Sequence, residues 1–133
     1  MKIYRFVWPV VLLPIFSCAE TQNYDSGDVR NVSAPEFKVL IEQGAGQLVD
    51  IRTPGEFQQG HIHGAVLIDF YSSSFREDLD RLDKNTPIYI YCRSGNRTSQ
   101  SLRILEGLGF REIVNLQHGL IDWQRNGFSL TTG

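Results

Sequence analysis

Past residue 28 the chain alternates two hydrophobic periods. Short, nearly unbroken apolar runs, "QLVDIR", "AVLIDF", "PIYIYC" and "EIVNL", read as strands. Between them lie segments whose apolar residues recur at helical spacing. "SAPEFKVLIEQG" predicts a helix with Ser33 as N-cap, Glu36 completing a capping box and Gly44 as the stop. "TPGEFQQG" predicts a turn or short helix. In "SSFREDLDRL", Phe75, Leu79 and Leu82 share a face, and in "RTSQSLRILEGLG" Leu102, Leu105 and Leu108 point inward. "LIDWQRNG" is a last helix closed by Gly127. Apolar strands alternating with amphipathic helices predict a parallel sheet covered on both faces. In such sheets ligands sit beyond the carboxyl ends of the strands. No internal repeat or low-complexity segment interrupts the pattern.

The first residues follow a different order. In "MKIYRFVWPVVLLPIFSCAE", Lys2 and Arg5 precede an apolar run from Phe6 to Phe16, and small residues follow. That is the anatomy of a secretory signal peptide, assigned to residues 1–18. The run falls short of the roughly 20 residues that span a bilayer, and Pro9 and Pro14 would disturb a helix there. "IFSC" resembles a bacterial lipobox, which would lipidate Cys18. Ile15 and Ser17 suit that pattern and Phe16 suits it poorly, so cleavage after Ala19 competes with it. Either route exports the protein, as a periplasmic protein or a membrane-anchored lipoprotein of a bacterium. Residues 19–28, "AETQNYDSGD", read as a polar tether, and residues 29–133 as one domain.

The 133 residues suit a single domain with one core. The net charge of −2, without a basic block, gives no sign of a nucleic-acid partner. A membrane would be met only through a lipid on Cys18, and a monomer is expected. Three histidines and two cysteines without zinc-type spacing argue against a structural metal. With Cys18 lipidated or removed, Cys92 has no disulfide partner in the chain. It is then either an inert buried thiol or a reactive one.

Its position favours reactivity. "CRSGNRT" joins the end of an apolar strand to a helix. A tight loop there turns backbone N–H groups inward as an anion nest, and the helix N-terminus adds partial positive charge. Gly95 permits the positive φ that such a curl requires. These dipoles, with Arg93 and Arg97, would favour the thiolate, which is the nucleophilic form. The bland alternative is a small apolar residue ending a core strand, followed by an ordinary helix. The two arginines count against it.

Three stretches resemble the single-domain rhodanese family of sulfurtransferases: "LVDIRTPGEFQQGHIHGAVLID", "IYIYCRSGNRT" and "LGFREIVNLQHGLIDWQRNG". The resemblance implies a three-layer α/β sandwich, a five-stranded parallel sheet with helices on both faces. It implies that Cys92 cycles through a persulfide without a cofactor. The loop N–H groups of Arg93, Ser94, Gly95, Asn96, Arg97 and Thr98 would cradle the sulfur, and Arg93 and Arg97 would bind the anionic donor. The acceptor would be a thiol or cyanide. Asp50, Arg52, Glu56 and His61 match signature positions expected to form an ion-paired structural corner beside the site. Two positions depart from the family: His63 stands where proline is usual, and His118 where glycine is frequent. The "HIH" pair, His61 and His63, has no apparent third ligand, so surface or capping histidines are expected rather than a metal site.

Two other functions remain open at this level. A dual-specificity cysteine phosphatase or arsenate reductase has a similar fold, but its loop is one residue longer than the stretch Arg93 to Asn96 that separates Cys92 from Arg97. An inactive binding module of the same family would typically lack the cysteine.

Overall fold

A computed structural model describes residues 27–133. The signal segment, Cys18 and most of the tether lie outside the described residues. Ten elements follow in order: β1 (Asp28–Val32), α1 (Ala34–Glu42), β2 (Gln47–Asp50), α2 (Pro54–Gln59), β3 (Val66–Leu67), α3 (Phe75–Asp80), β4 (Ile88–Tyr91), α4 (Asn96–Leu108), β5 (Glu112–Leu116) and α5 (Gly119–Arg125). All neighbouring strands are parallel, in the order β1-β5-β4-β2-β3. Every residue of β4 is buried, as the two-sided packing of a central parallel strand requires.

Strand alternation divides the core into two layers. Ile88, Ile90 and Cys92 face a cluster completed by Leu79 of α3 and Leu105 of α4. Tyr89 and Tyr91 face the other side, against Phe37 of α1 and Trp123 of α5. The expected inward row on α4 is fully buried only at Leu105, while Leu102 and Leu108 are half-buried. Thr98 and Ser101, one turn apart, extend the buried face toward the start of α4. That face therefore turns polar where it approaches Cys92.

Three local expectations change. The capping box at Ser33 and Glu36 does not form, because Ser33 makes no side-chain cap. The Ala34 N–H instead donates to Asp122 Oδ2 of α5 at 2.8 Å, so a distant carboxylate caps α1. The box forms on the same residue pattern at Thr53 and Glu56, opening α2. "AVLIDF" yields only the two-residue β3, because the chain bends at Asp69, whose carboxylate accepts from the Tyr71 N–H at 3.0 Å. β1 begins at Asp28, which the composition had placed in the tether. As an edge strand with a half-exposed, partly polar sequence, it carries little hydrophobic signal.

Candidate functional site

The site begins where β4 ends. Cys92 is fully buried, and its Sγ accepts a hydrogen bond from the Gly95 N–H at 3.1 Å. Thr98 Oγ1, in the first turn of α4, lies 3.8 Å from the sulfur. Of the expected six-residue cradle, Gly95 supplies an N–H to the sulfur and Thr98 brings a hydroxyl, while Arg93, Ser94 and Asn96 are exposed. Gly95 has φ +94, and a Cβ there would sit 1.9 Å from the Gln117 carbonyl oxygen. Both conformation and space therefore demand glycine.

The loop is clamped from outside by α5. The N–H groups of Leu120 and Ile121 donate to the carbonyls of Cys92 and Arg93 at 2.9 and 3.1 Å. This close approach depends on Gly119, at φ +62, where a Cβ would fall 2.4 Å from the Arg93 carbonyl oxygen and 2.6 Å from that of Cys92. Gly119 escaped the sequence reading, which weighed its neighbour His118. The available signal was a glycine opening an otherwise well-formed helix, a position that favours it only when another backbone comes close.

The two loop arginines differ. Arg97 forms a two-pronged ion pair with Glu56 of α2, both contacts at 2.8 Å. That pairing holds the Glu56 carboxyl down at about 2 and raises the guanidinium above its ordinary range. The Tyr71 ring lies 5.8 Å from the Arg97 guanidinium. Arg97 is thus a strut between α4 and α2, and the donor contact expected of it would require it to leave Glu56. Arg93 is exposed and makes no ion pair among the described residues. It borders a cleft of about 460 Å³ shared with Gln59, Leu120, Gln124 and Leu130. Within the loop, Arg93 is the cation without a carboxylate partner among the described residues.

A profile of the rhodanese-like domain matches residues 33–126. The chain belongs to the rhodanese-like family. Its fold resembles a rhodanese-related protein from Thermoplasma volcanium, with a TM-score of 0.69 and 26% identity over 78% of this chain and 99% of that one. A sulfurtransferase of Allochromatium vinosum is 37% identical over 62% of this chain and 76% of its own length. The thiosulfate sulfurtransferase GlpE of Ectopseudomonas mendocina is 32% identical over 67% of this chain and 86% of its own. These likenesses place the chain with rhodanese-like proteins of a sulfurtransferase family.

In this rhodanese-like domain the expected four-residue corner resolves into separate parts. Asp50, fully buried, accepts from the Arg52 backbone N–H and from its guanidinium, with Nη2 at 2.7 Å. Arg52 also donates to the Gly60 carbonyl at 2.7 Å. Burial alone would lower the Arg52 pKa, but the hydrogen bond and charge of Asp50 outweigh it and the net direction is up. Burial, aided by the Asp50 charge, pushes the Tyr91 phenol far above its usual range, and its hydroxyl accepts from the Ile62 N–H at 3.0 Å. Glu56 belongs to the Arg97 strut, and His61 to neither pair. The His61 ring stacks on Phe57 at 3.6 Å, and its Nδ1 donates to the Phe57 carbonyl at 2.9 Å. Its backbone bridges to Thr131.

His118 is exposed at the N-cap of α5 without a side-chain cap. His63 is exposed and borders a second cavity of about 490 Å³ with Lys38, Tyr89 and Trp123, on the side of the sheet away from the sulfur. Among the described residues no three metal-ligating side chains converge.

Proposed function

We propose that this protein transfers sulfane sulfur from thiosulfate, or a similar anionic donor, to a thiophilic acceptor through a persulfide on Cys92. The observation that carries the reading is the Cys92 sulfur at the carboxyl end of the central strand, with the Gly95 N–H donating to it at 3.1 Å. The thiolate attacks the outer sulfur of thiosulfate. A new S–S bond forms, the old one breaks, and its electron pair leaves on sulfite. A thiol or cyanide then attacks the outer sulfur of the persulfide and returns the thiolate. Arg93 meets the charge of the donor at the mouth of the cleft, while Arg97 and Glu56 hold α4 in place. Because Cys92 is closed to solvent, the loop must open for the donor to reach it and afterwards shields the persulfide.

A phosphatase reading has less support. Its chemistry needs a loop wide enough for a tetrahedral phosphoryl group and an arginine available to it, whereas Arg97 is held by Glu56 on both prongs. Retention of Cys92 speaks against an inert binding module. Incubation of the purified protein with thiosulfate, followed by mass spectrometry, should show one extra sulfur on Cys92 and none on the Cys92→Ala variant. Cys92-dependent hydrolysis of phosphate esters without sulfur loading would sink the assignment in favour of the phosphatase.

The export reading extends the proposal to location: a protein acting outside the cytoplasm, held to the membrane if Cys18 is lipidated. Cys18→Ser should then release it from the membrane fraction or block its processing. Unchanged fractionation would favour cleavage after Ala19.

A further inference from the structure

Three donors converge on one carbonyl beside the sulfur. The Gly95 oxygen receives the Thr98 hydroxyl at 3.0 Å, the Ser99 hydroxyl at 2.7 Å and the Ser99 N–H at 3.0 Å. A carbonyl oxygen has two lone pairs, so one donor exceeds its ordinary capacity. Thr98 is fully buried, and its oxygen also lies 3.8 Å from Cys92 Sγ. A hydroxyl has one hydrogen. While that hydrogen points at Gly95, Thr98 can only accept toward the sulfur. That arrangement suits a thiol S–H and opposes a thiolate.

We infer that the Thr98 hydroxyl is a two-position hydrogen-bond switch that follows the protonation of Cys92, with Ser99 as the partner that makes the switch possible. With a thiol present, Thr98 donates to Gly95 and accepts from the S–H. When the loop opens and the thiol proton leaves to water, the hydroxyl turns and donates to the anionic sulfur beside the Gly95 N–H. The Gly95 carbonyl keeps both Ser99 donors, so no buried acceptor is orphaned by the turn. Thr98 is on this account a catalytic residue acting through its side chain, in addition to any role of its backbone. The inference rests on Cys92 being the nucleophile proposed above.

The test is the rate at which iodoacetamide alkylates Cys92 in the full-length protein at one fixed pH, read on the Cys92 peptide by mass spectrometry. Thr98→Val keeps the shape and removes the hydroxyl; it should slow alkylation about tenfold, the effect of losing one hydrogen bond to an anion. Thr98→Ser should stay within about twofold of wild type, since the hydroxyl is retained. Ser99→Ala should slow the reaction about threefold, because Thr98 is then held back by Gly95. Added to Thr98→Val, Ser99→Ala should change nothing further, a non-additivity that a purely structural role does not produce. Wild-type rates in Thr98→Val, or an equal Ser99 effect in both backgrounds, would overturn the switch. Should Thr98→Val fail to fold, Ser99→Ala at an exposed position decides alone: no slowing overturns the inference. Alkylation needs no sulfur donor. A normal switch pattern without sulfur loading from thiosulfate would therefore reject the sulfurtransferase reading and leave the switch standing.

Discussion

Two arginine–carboxylate pairs brace the site, and they work differently. Asp50 and Arg52 are two residues apart at the end of β2, and the side chains are 0% and 7% exposed. Glu56 and Arg97 are 41 residues apart, linking α2 to α4, and remain 29% and 14% exposed. The first pair holds the backbone of one corner, since Arg52 reaches on to Gly60. The second ties two separate helices, one of which carries Thr98 beside the sulfur. Burial makes the first pair costly to break, and sequence distance makes the second one matter for alignment.

The sharpest way to separate them is to remove one partner of each. Asp50→Ala leaves the Arg52 charge buried without its counter-ion, and should cost about 3–5 kcal/mol or prevent folding. A thermal or denaturant melt showing less than about 1 kcal/mol of loss would mean that water reaches this corner. Glu56→Gln should cost about 1–2 kcal/mol, discounted for the partial exposure of the pair.

pH distinguishes the second pair further. Glu56 is held at about 2 in the fold against an ordinary 4.5, so its contribution is complete above about pH 4.5 and is lost as pH falls toward 2. The stability gap between wild type and Glu56→Gln should therefore be flat from neutral pH down to about 4.5 and close below it. A gap that persists unchanged at pH 2 would show that packing, not charge, sustains the strut.

The arginines of the loop give the smallest and most diagnostic contrast. Arg93→Ala should raise the KM for thiosulfate by about five- to tenfold with little change in kcat, as expected for a lost surface contact to an anion. Arg97→Ala should lower kcat, because the first turn of α4 loosens around Cys92, and move KM less. Steady-state sulfite release at varied thiosulfate measures both. If the two variants exchange these signatures, Arg97 leaves Glu56 to bind the donor and the strut is only a resting arrangement.

Several of these features were readable in advance because they depend on neighbours along the chain. The run before Cys92 predicts a central strand, and Gly95 predicts the curl after it. The family resemblance marks Asp50 and Arg52 as part of an ion-paired corner, while their direct pairing is a finding of the structure. The capping boxes mark the edge of such reasoning. Ser33 with Glu36 and Thr53 with Glu56 carry the same pattern, yet only the second forms, and at the first the Ala34 N–H is met instead by Asp122 from α5. No local rule reveals which distant carboxylate arrives.

By itself the amino-acid order determined the alternation of strands and helices, the parallel two-layered core and the thiol at the carboxyl end of β4. Hydrophobic period and glycine geometry act over a few residues, so they are written directly in the chain. Tertiary structure alone decided that Arg97 would face Glu56 while Arg93 makes no ion pair among the described residues, and that Gly119 would let α5 seat two N–H groups on the loop. It also placed Thr98 between the sulfur and an already satisfied carbonyl. Charge pairing and close backbone approach depend on which elements the packed sheet brings together, and no periodicity along the chain encodes that meeting.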